Sequence, residues 1–508
     1  MSTPLDSPGD ITRQEDLHAT GEERASPAVW RYDRATRATV IVDAADYFQY
    51  MQQAMMNAKK RILLIGWDFD TRIALGRGRR WYQIFGRDRP PRRLGRFVVW
   101  LANRNPDLEI RVLKWDFGAI KMFFRGSMLA DIWRWYRHDR IEFKFDSMHP
   151  FGCSHHQKIV VIDDTVAVCG GIDMTADRWD TRDHIDRDPR RRRPGGRRYP
   201  PWHDMTMMVE GDIVRALENL ALTRWKLAGR HELLPVEAQS QTAWPNGLEP
   251  DFEDVELGVS RTRAPYEDIE EIREIEALFV ELIGRAKNFI YAESQYFASR
   301  KIAEAICRRM QEDDPPEIVI VNPMSAEGWL EQQAMDTARA RLIETIGRND
   351  PGNRFRLYVP HTDKGTPIYV HAKLMIVDDE VLKIGSANMN NRSLGLDSEC
   401  DLLLDTARAA NRGQGDNIRK LRYSLLAEHL GIPEGEIGGL LEKYGSMRAL
   451  IREHPQPGRS LRLFKLNKLT DVEKTLADEE WLDPESPADM FEPMSKRKGL
   501  FRRLRRPR

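Results

Sequence analysis

Cysteine is scarce in this chain and never clustered. Cys153, Cys169, Cys307 and Cys400 form no C-x-x-C pair, which argues against a disulfide framework or a thiolate metal site and suits a reducing compartment. Net charge is missing as well: 79 basic residues balance 79 acidic ones, so global electrostatics give no reason to expect a nucleic-acid partner. No run approaches the roughly 18 apolar residues of a membrane span, and the polar start MSTPLDSPGD lacks the apolar stretch of a signal peptide. A cytoplasmic protein is expected, with a peripheral place on the inner face of a membrane as the finer expectation.

What is present is length and repetition. The 508 residues suffice for two domains of about 200 residues with tails. Residues 1–28 read as a disordered segment, 29–240 as a first domain, 250–410 as a second, 411–470 as a helical extension, and 471–508 as an acidic then basic tail. Strand, helix and strand patterns alternate through both domains, the grammar of an α/β fold. HHQKIVVIDDTVAVCGGID (155–173) reads as two strands joined by an Asp-Asp turn, and HAKLMIVDDEVLKIGSANM (371–389) repeats it. His371, Lys373, Asp378, Gly385 and Asn388 follow His156, Lys158, Asp163, Gly170 and Asp173 by one constant offset (371 less 156, 215). Two similar domains follow, each a mixed β-sheet flanked by helices, with one active site at their pseudo-two-fold interface.

Strand alternation puts His156 and Lys158 on one face, and likewise His371 and Lys373. Asp163 and Asp378 have the opposite parity and sit at turns, so they read as turn-closing. Gly170-Gly171 and Gly385-Ser386 remove side-chain bulk and let a ligand or another backbone approach. Joining the halves gathers two His, two Lys and the pair Asp173 and Asn388. One neutral imidazole can attack phosphorus, the other can protonate the leaving oxygen, and the lysines offset transition-state charge. A single histidine would be weak, but here the same spacing occurs twice among only 12 histidines. No acidic cluster with metal-ligand spacing stands out, so no metal and no cofactor are expected.

These residues resemble the phospholipase D superfamily, closest to its eukaryotic-type phosphatidylcholine-hydrolysing branch. The resemblance rests on H-x-K-x-x-x-x-D at 156–163 and 371–378, with GGIDMTADRWDT, PWHDMTMMVEG, NFIYAESQYF and IGSANMNNRSLGLDSE between and after them. It covers about residues 38–405. It implies His156 as nucleophile and His371 as general acid, with Lys158, Lys373, Asp163 and Asp378 completing the catalytic motifs. It also implies a carboxylate behind each histidine, at Asp204 in PWHD and Glu399 in DSE, and substrate contacts at Gly171, Asp173, Ser386 and Asn388. The implied activity is hydrolysis of a glycerophospholipid to phosphatidic acid through a phosphatidyl-histidine, with transfer to alcohols. A cardiolipin-type synthase, a nuclease of the same superfamily and a catalytically dead lipid-binding module are the rival readings. The stretch before residue 38 is expected to be too short for the family's lipid-binding modules, so their phosphoinositide regulation is not carried over. An anionic phospholipid surface is the expected partner, met by the basic runs 76–96 and 187–200 and by the tail SKRKGLFRRLRRPR. Phe123, Phe124, Trp133 and Trp135 lie on an expected helix and read as core.

Overall fold

The computed structural model describes residues 26–76, 89–116, 126–229, 231–236, 239, 241–325, 329–454 and 458–465. The expected N-terminal segment up to residue 25, most of the basic run 76–96, Phe123 and Phe124, and the acidic and basic tail from 466 onward lie outside them.

Short runs of branched apolar residues such as RILLIG, EIVIV and LMIV form strands buried on both faces. In chain order the strands are β1 Arg31–Val42, β2 Arg61–Gly66, β3 Glu109–Trp115, β4 Ile141–Asp146, β5 Ile159–Ile162, β6 Val166–Gly170, β7 Trp202–His203, β8 Met205–Glu210 and β9 Phe252–Arg263. They continue with β10 Ile272–Arg273, β11 Phe289–Glu293, β12 Glu317–Val321, β13 Phe355–His361, β14 Tyr369–Val370, β15 Leu374–Val377, β16 Val381–Gly385, β17 Glu399–Asp405 and β18 Ser460–Leu463. All but β7 and β14 join one sheet, ordered β18-β13-β12-β11-β15-β16-β17-β9-β1-β8-β6-β5-β2-β3-β4, with β10 beside β9. Read outward from the antiparallel β1–β9 pair, the two sides run β1-β8-β6-β5-β2-β3-β4 and β9-β17-β16-β15-β11-β12-β13. Each outer trio, β2-β3-β4 and β11-β12-β13, is parallel, and the inner strands are antiparallel. The repeat in the sequence is therefore a two-fold repeat of topology, and the halves are fused edge to edge into one mixed sheet flanked by helices.

One face carries a core shared by both halves. The helix Ile213–Gly229 covers the first half, and helices Gly415–Leu430, Glu434–Tyr444 and Met447–Glu453 cover the second, burying Leu217, Trp225, Leu425 and Leu426. The other face carries a separate core in each half, under Ala44–Asn57 and Leu94–Arg104 in the first and under Glu274–Arg285 and Arg300–Met310 in the second. Trp135 is buried, but Trp133 on the same helix is exposed and corrects the expectation of core for both. The acidic stretch 235–257 becomes strand from Phe252. Phe252, Val255 and Leu257 face inward while Glu253 and Asp254 face water, so the charges did not prevent pairing.

The motif aspartates sit at the ends of β5 and β15 remote from the histidines. Asp163 and Asp378 both adopt left-handed φ (51° and 53°), which Asp tolerates better than most residues. Asp163 accepts the backbone N–H groups of Lys59, Lys60 and Arg61 at 2.5–2.7 Å. Asp378 accepts those of Lys287, Asn288 and Phe289 at 2.6–2.8 Å. Each carboxylate clamps the start of the neighbouring strand, β2 or β11. This removes Asp163 and Asp378 from the catalytic set and leaves them as structural members of the motif. Asp378→Ala should lower the unfolding free energy by about 2–4 kcal/mol, since it deletes three charge-assisted hydrogen bonds, some of them partly exposed. Denaturant titration checks this. The folded variant should keep the parent kcat/KM, and lost activity at unchanged stability would instead place the aspartate in the chemistry.

Candidate active site

The two half-sites exchange partners across the interface. His156 belongs to the first half, but its Nδ1 lies 3.0 Å from both carboxylate oxygens of Glu399 in the second. His371 belongs to the second half, but its Nδ1 lies 2.7 Å from Oδ2 of Asp204 in the first. The backbone is interleaved in the same sense. His156 N donates to Ser398 O at 3.0 Å, and Ser398 N to Ser154 O at 2.9 Å, around a parallel bridge between His155 and Ser398. His371 N donates to His203 O at 2.7 Å beside the parallel pairing of β7 with β14. Each imidazole is thus fixed by ring and backbone to the opposite half, and its Nε2 makes no hydrogen bond among the described residues.

Both lysines are held over the same site. Lys158 Nζ donates to His156 O at 2.7 Å, stands 3.4 Å from Asp173 Oδ2 and faces the Trp67 ring at 6.0 Å. Lys373 Nζ donates to His371 O and lies 3.5 Å from Gln295 Oε1. Rings complete the walls. Trp67 meets His156 edge-on with centroids 6.4 Å apart. Trp202 stacks on Tyr369 at 4.5 Å and tilts against His371 at 5.3 Å.

Burial sets the electrostatics. Desolvation, then the charges of Lys158 and Lys373, holds His156 well below the usual imidazole value. Desolvation, then Lys373 and Arg178, does the same to His371. Burial pushes the Asp204 carboxyl up to about 7 and the Glu399 carboxyl up to about 8, against the pull of the nearby lysines. It brings the Lys373 ammonium down to about 7. Low-dielectric surroundings penalise every charged form, so each imidazole–carboxylate pair is driven toward sharing one proton between Nδ1 and the carboxylate.

Four residues expected to touch substrate divide into different tasks. Gly171 makes room: a Cβ there would stand 2.2 Å from Asp204 Oδ1 and 3.2 Å from His371 O. Ser386 donates its hydroxyl to Glu399 Oε2, and Ser393 donates to Oε1 at 2.6 Å. Ser386 therefore positions a carboxylate, which corrects its expected role. Asp173 is half engaged: its Oδ1 accepts from Trp67 N at 3.1 Å, while its Oδ2 stands 3.4 Å from Lys158 Nζ and has no hydrogen-bond partner. Asn388 is alike in this, with its Oδ1 buried and without a hydrogen-bond partner. In the basic loop 187–200, Arg190 pairs with Asp188, Arg191 with Asp180 and Arg193 with Asp177, while Arg187, Arg192, Arg197 and Arg198 are exposed. The buried Arg191 therefore serves the fold. Sequence reasoning missed Arg178, whose guanidinium lies 4.1 Å over the Trp202 ring and bears electrostatically on His371 and Asp204. It stands inside GGIDMTADRWDT, where nothing in the spacing distinguishes it from its neighbours.

Gly171→Ala should cost at least about 100-fold in kcat with little change in KM, because displacement of a supporting group by about 1 Å suffices for such a loss. Steady-state kinetics check this, and an alanine variant with parent activity would show that the close approach of Asp204 is dispensable.

Comparisons with known proteins point to one family. A family model described as Phospholipase D matches residues 54–335 and 348–476. Phospholipase D1 of Saccharomyces cerevisiae is 25% identical, over 87% of this chain and 31% of its own length. Phospholipase D A of Dictyostelium discoideum is 26% identical, over 77% of this chain and 35% of its own. Phospholipase D alpha 1 of Ricinus communis is 26% identical, over 61% and 54%. The chain thus spans between a third and about half of the length of these relatives. The crystal structure of a phosphatidylserine synthase from Haemophilus influenzae superposes with a TM-score of 0.52 over 87% of this chain and 99% of that one, at 13% identity, and shares the fold. Matched along most of its length by the family model, and carrying both half-sites intact, the chain belongs to the phospholipase D family.

Proposed function

We propose that the protein is a phospholipase D: it cleaves the headgroup-side phosphodiester of a glycerophospholipid through a covalent intermediate on His156. The reading is supported above all by the crossed pairs His156–Glu399 and His371–Asp204, which leave two Nε2 atoms and two lysines around one site. Glu399 holds the proton on Nδ1 of His156, so Nε2 keeps its lone pair and attacks phosphorus. His371, protonated on Nε2 and supported by Asp204, gives that proton to the departing headgroup oxygen. Lys158 and Lys373 push both imidazoles toward neutrality. The negative charge of a bound phosphodiester opposes that push and favours the protonated form of His371. The lysines and the amide of Asn388 then stabilise the charge of the pentacoordinate transition state.

After the first step His371 is neutral and can deprotonate either water or an alcohol. Water gives phosphatidic acid and an alcohol gives a new phosphatidyl ester, so both fates share one intermediate. The substrate sits in a membrane surface, and an anionic one is the preferred partner. Among the described residues no helix is long and apolar enough to cross a membrane.

Short-chain phosphatidylcholine with added primary alcohol is the test. Product should divide between phosphatidic acid and phosphatidyl-alcohol in a ratio set by alcohol concentration and independent of the starting headgroup. Failure to form any transfer product would favour direct attack by water. His156→Ala should abolish both products. His371→Ala should slow release of choline severely but slow release of nitrophenol much less, because a phenolate departs with little protonation. Equal damage to both substrates would refute the assignment of His371 as the acid.

A further inference from the structure

Directly behind His371 lies a second cluster of titratable groups that the chemistry above does not use. Asp43, His184, His203 and Glu428 are fully buried, and one ligand atom from each lies within 4.8 Å of all the others. They come from four separate places: the residue after β1, a loop of the first half, β7, and the helix Gly415–Leu430. We propose that these four side chains bind one structural zinc ion, which pins β7 and the adjacent Asp204 and so holds His371 in position.

Geometry carries the proposal. His203 Nδ1 is 2.9 Å from Glu428 Oε1 and 3.3 Å from Asp43 Oδ1. His184 Nε2 is 3.0 Å from the same Glu428 oxygen and 3.6 Å from Asp43 Oδ2. Ligand atoms about 2.0–2.1 Å from a tetrahedral zinc stand roughly 3.3 Å from one another. The contacts bracket that spacing. Two of the atoms also lack a hydrogen-bond partner although fully buried: His203 Nδ1, despite its short distance to Glu428, and Asp43 Oδ2. An orphaned nitrogen and an orphaned carboxylate oxygen directed at one point are costly in a protein interior, and a cation there satisfies both.

The surroundings fit the same occupant. A metal-bound histidine usually gives its other ring N–H to a carboxylate. Here His184 Nδ1 faces Asp180 Oδ2 at 3.1 Å, and His203 Nε2 faces Glu293 Oε2 at 2.7 Å. Asp43, Asp180, Glu293 and Glu428 supply four negative charges. Arg191 on Asp180 and Arg182 on Glu428 return two positive ones. With neutral imidazoles, two negative charges remain, which one divalent ion cancels. Two imidazole donors favour zinc over calcium or magnesium, which prefer all-oxygen sets. The neighbouring trio His203, Glu293 and His429 is joined by imidazole–carboxylate hydrogen bonds at 2.7 and 3.0 Å, and His184 Nε2 meets Glu428 Oε1 in the same way at 3.0 Å, so it is the unpartnered His203 Nδ1 and Asp43 Oδ2 that single out the four-residue cluster.

The route to the active site is short. His203 O accepts from His371 N, Asp204 follows His203 in the chain, and Asp43 Oδ1 accepts from Asp204 N at 3.2 Å. The ion would be a positioning device, remote from the reacting atoms, and the bond-making steps do not pass through it.

The full chain, produced in zinc-supplemented medium and purified without chelator, should contain about one zinc per molecule by mass spectrometry of the metal. Cobalt exchanged into the site should give the intense visible bands of tetrahedral coordination. Asp43→Asn and His184→Ala should each lose the zinc and the cobalt spectrum. Stripping the metal from the parent should lower Tm by about 5 °C and reduce kcat with KM nearly unchanged, and zinc should restore both. A parent protein free of metal, indifferent to added zinc and silent with cobalt, would overturn the proposal and leave a cluster balanced by two protonated histidines. Full zinc content in both variants would place the ion elsewhere and equally overturn it. If a variant does not fold, the parent's metal content and cobalt spectrum still decide. The kcat readout rests on the phospholipase reading, whereas metal content does not, so the two can fail separately.

Discussion

The arrangement depends on one exchange: each histidine takes its carboxylate from the other half of the molecule. An imidazole that must act as nucleophile or acid needs a fixed tautomer, and Nδ1 bonded to a buried carboxylate fixes it. Because Glu399 serves His156 and Asp204 serves His371, neither half holds a finished site. Fusion of the two half-sheets through β1 and β9 is therefore what assembles the chemistry. The requirement reaches into the backbone. Gly171 is bare so that Asp204 can approach, and Ser386 and Ser393 hydrogen-bond Glu399 from behind.

Two lysines, two imidazoles and two carboxylates buried together are costly, since desolvation of charge outweighs much of the mutual attraction. The fold limits that cost by sharing a proton between each Nδ1 and its carboxylate, and by leaving much of the lysine charge to be met by an anionic substrate. The same logic explains the buried Arg191 of the loop 187–200, whose charge is matched to Asp180.

Much of this was legible in the sequence because the repeat is exact in spacing. A constant offset between His-Lys motifs pointed to two-fold topology and one composite site, and the motif resemblance singled out Asp204 and Glu399. The crossing of partners was not legible, because a spacing that repeats within each half looks the same whether each carboxylate serves its own histidine or the other one. The resemblance implies Ser386 and Asp173 as ligand contacts, whereas the bonds of Ser386 to Glu399 and of Trp67 N to Asp173 join residues apart in the chain and are invisible in a motif. Asp43, His184, His203 and Glu428 were invisible as a group for a related reason. They are scattered over most of the chain, and only the packing of the C-terminal helices against the first half brings them together.

The central claim is that His156, with Nδ1 held by Glu399, attacks through Nε2. Rapid quenching of turnover with a short-chain phospholipid, followed by peptide mapping and phosphorus NMR, tests it most directly. The expected product is a phosphatidyl group on Nε2 of His156. A phosphatidyl group on His371, on Nδ1 of His156, or on no residue at all under conditions of rapid turnover would contradict it.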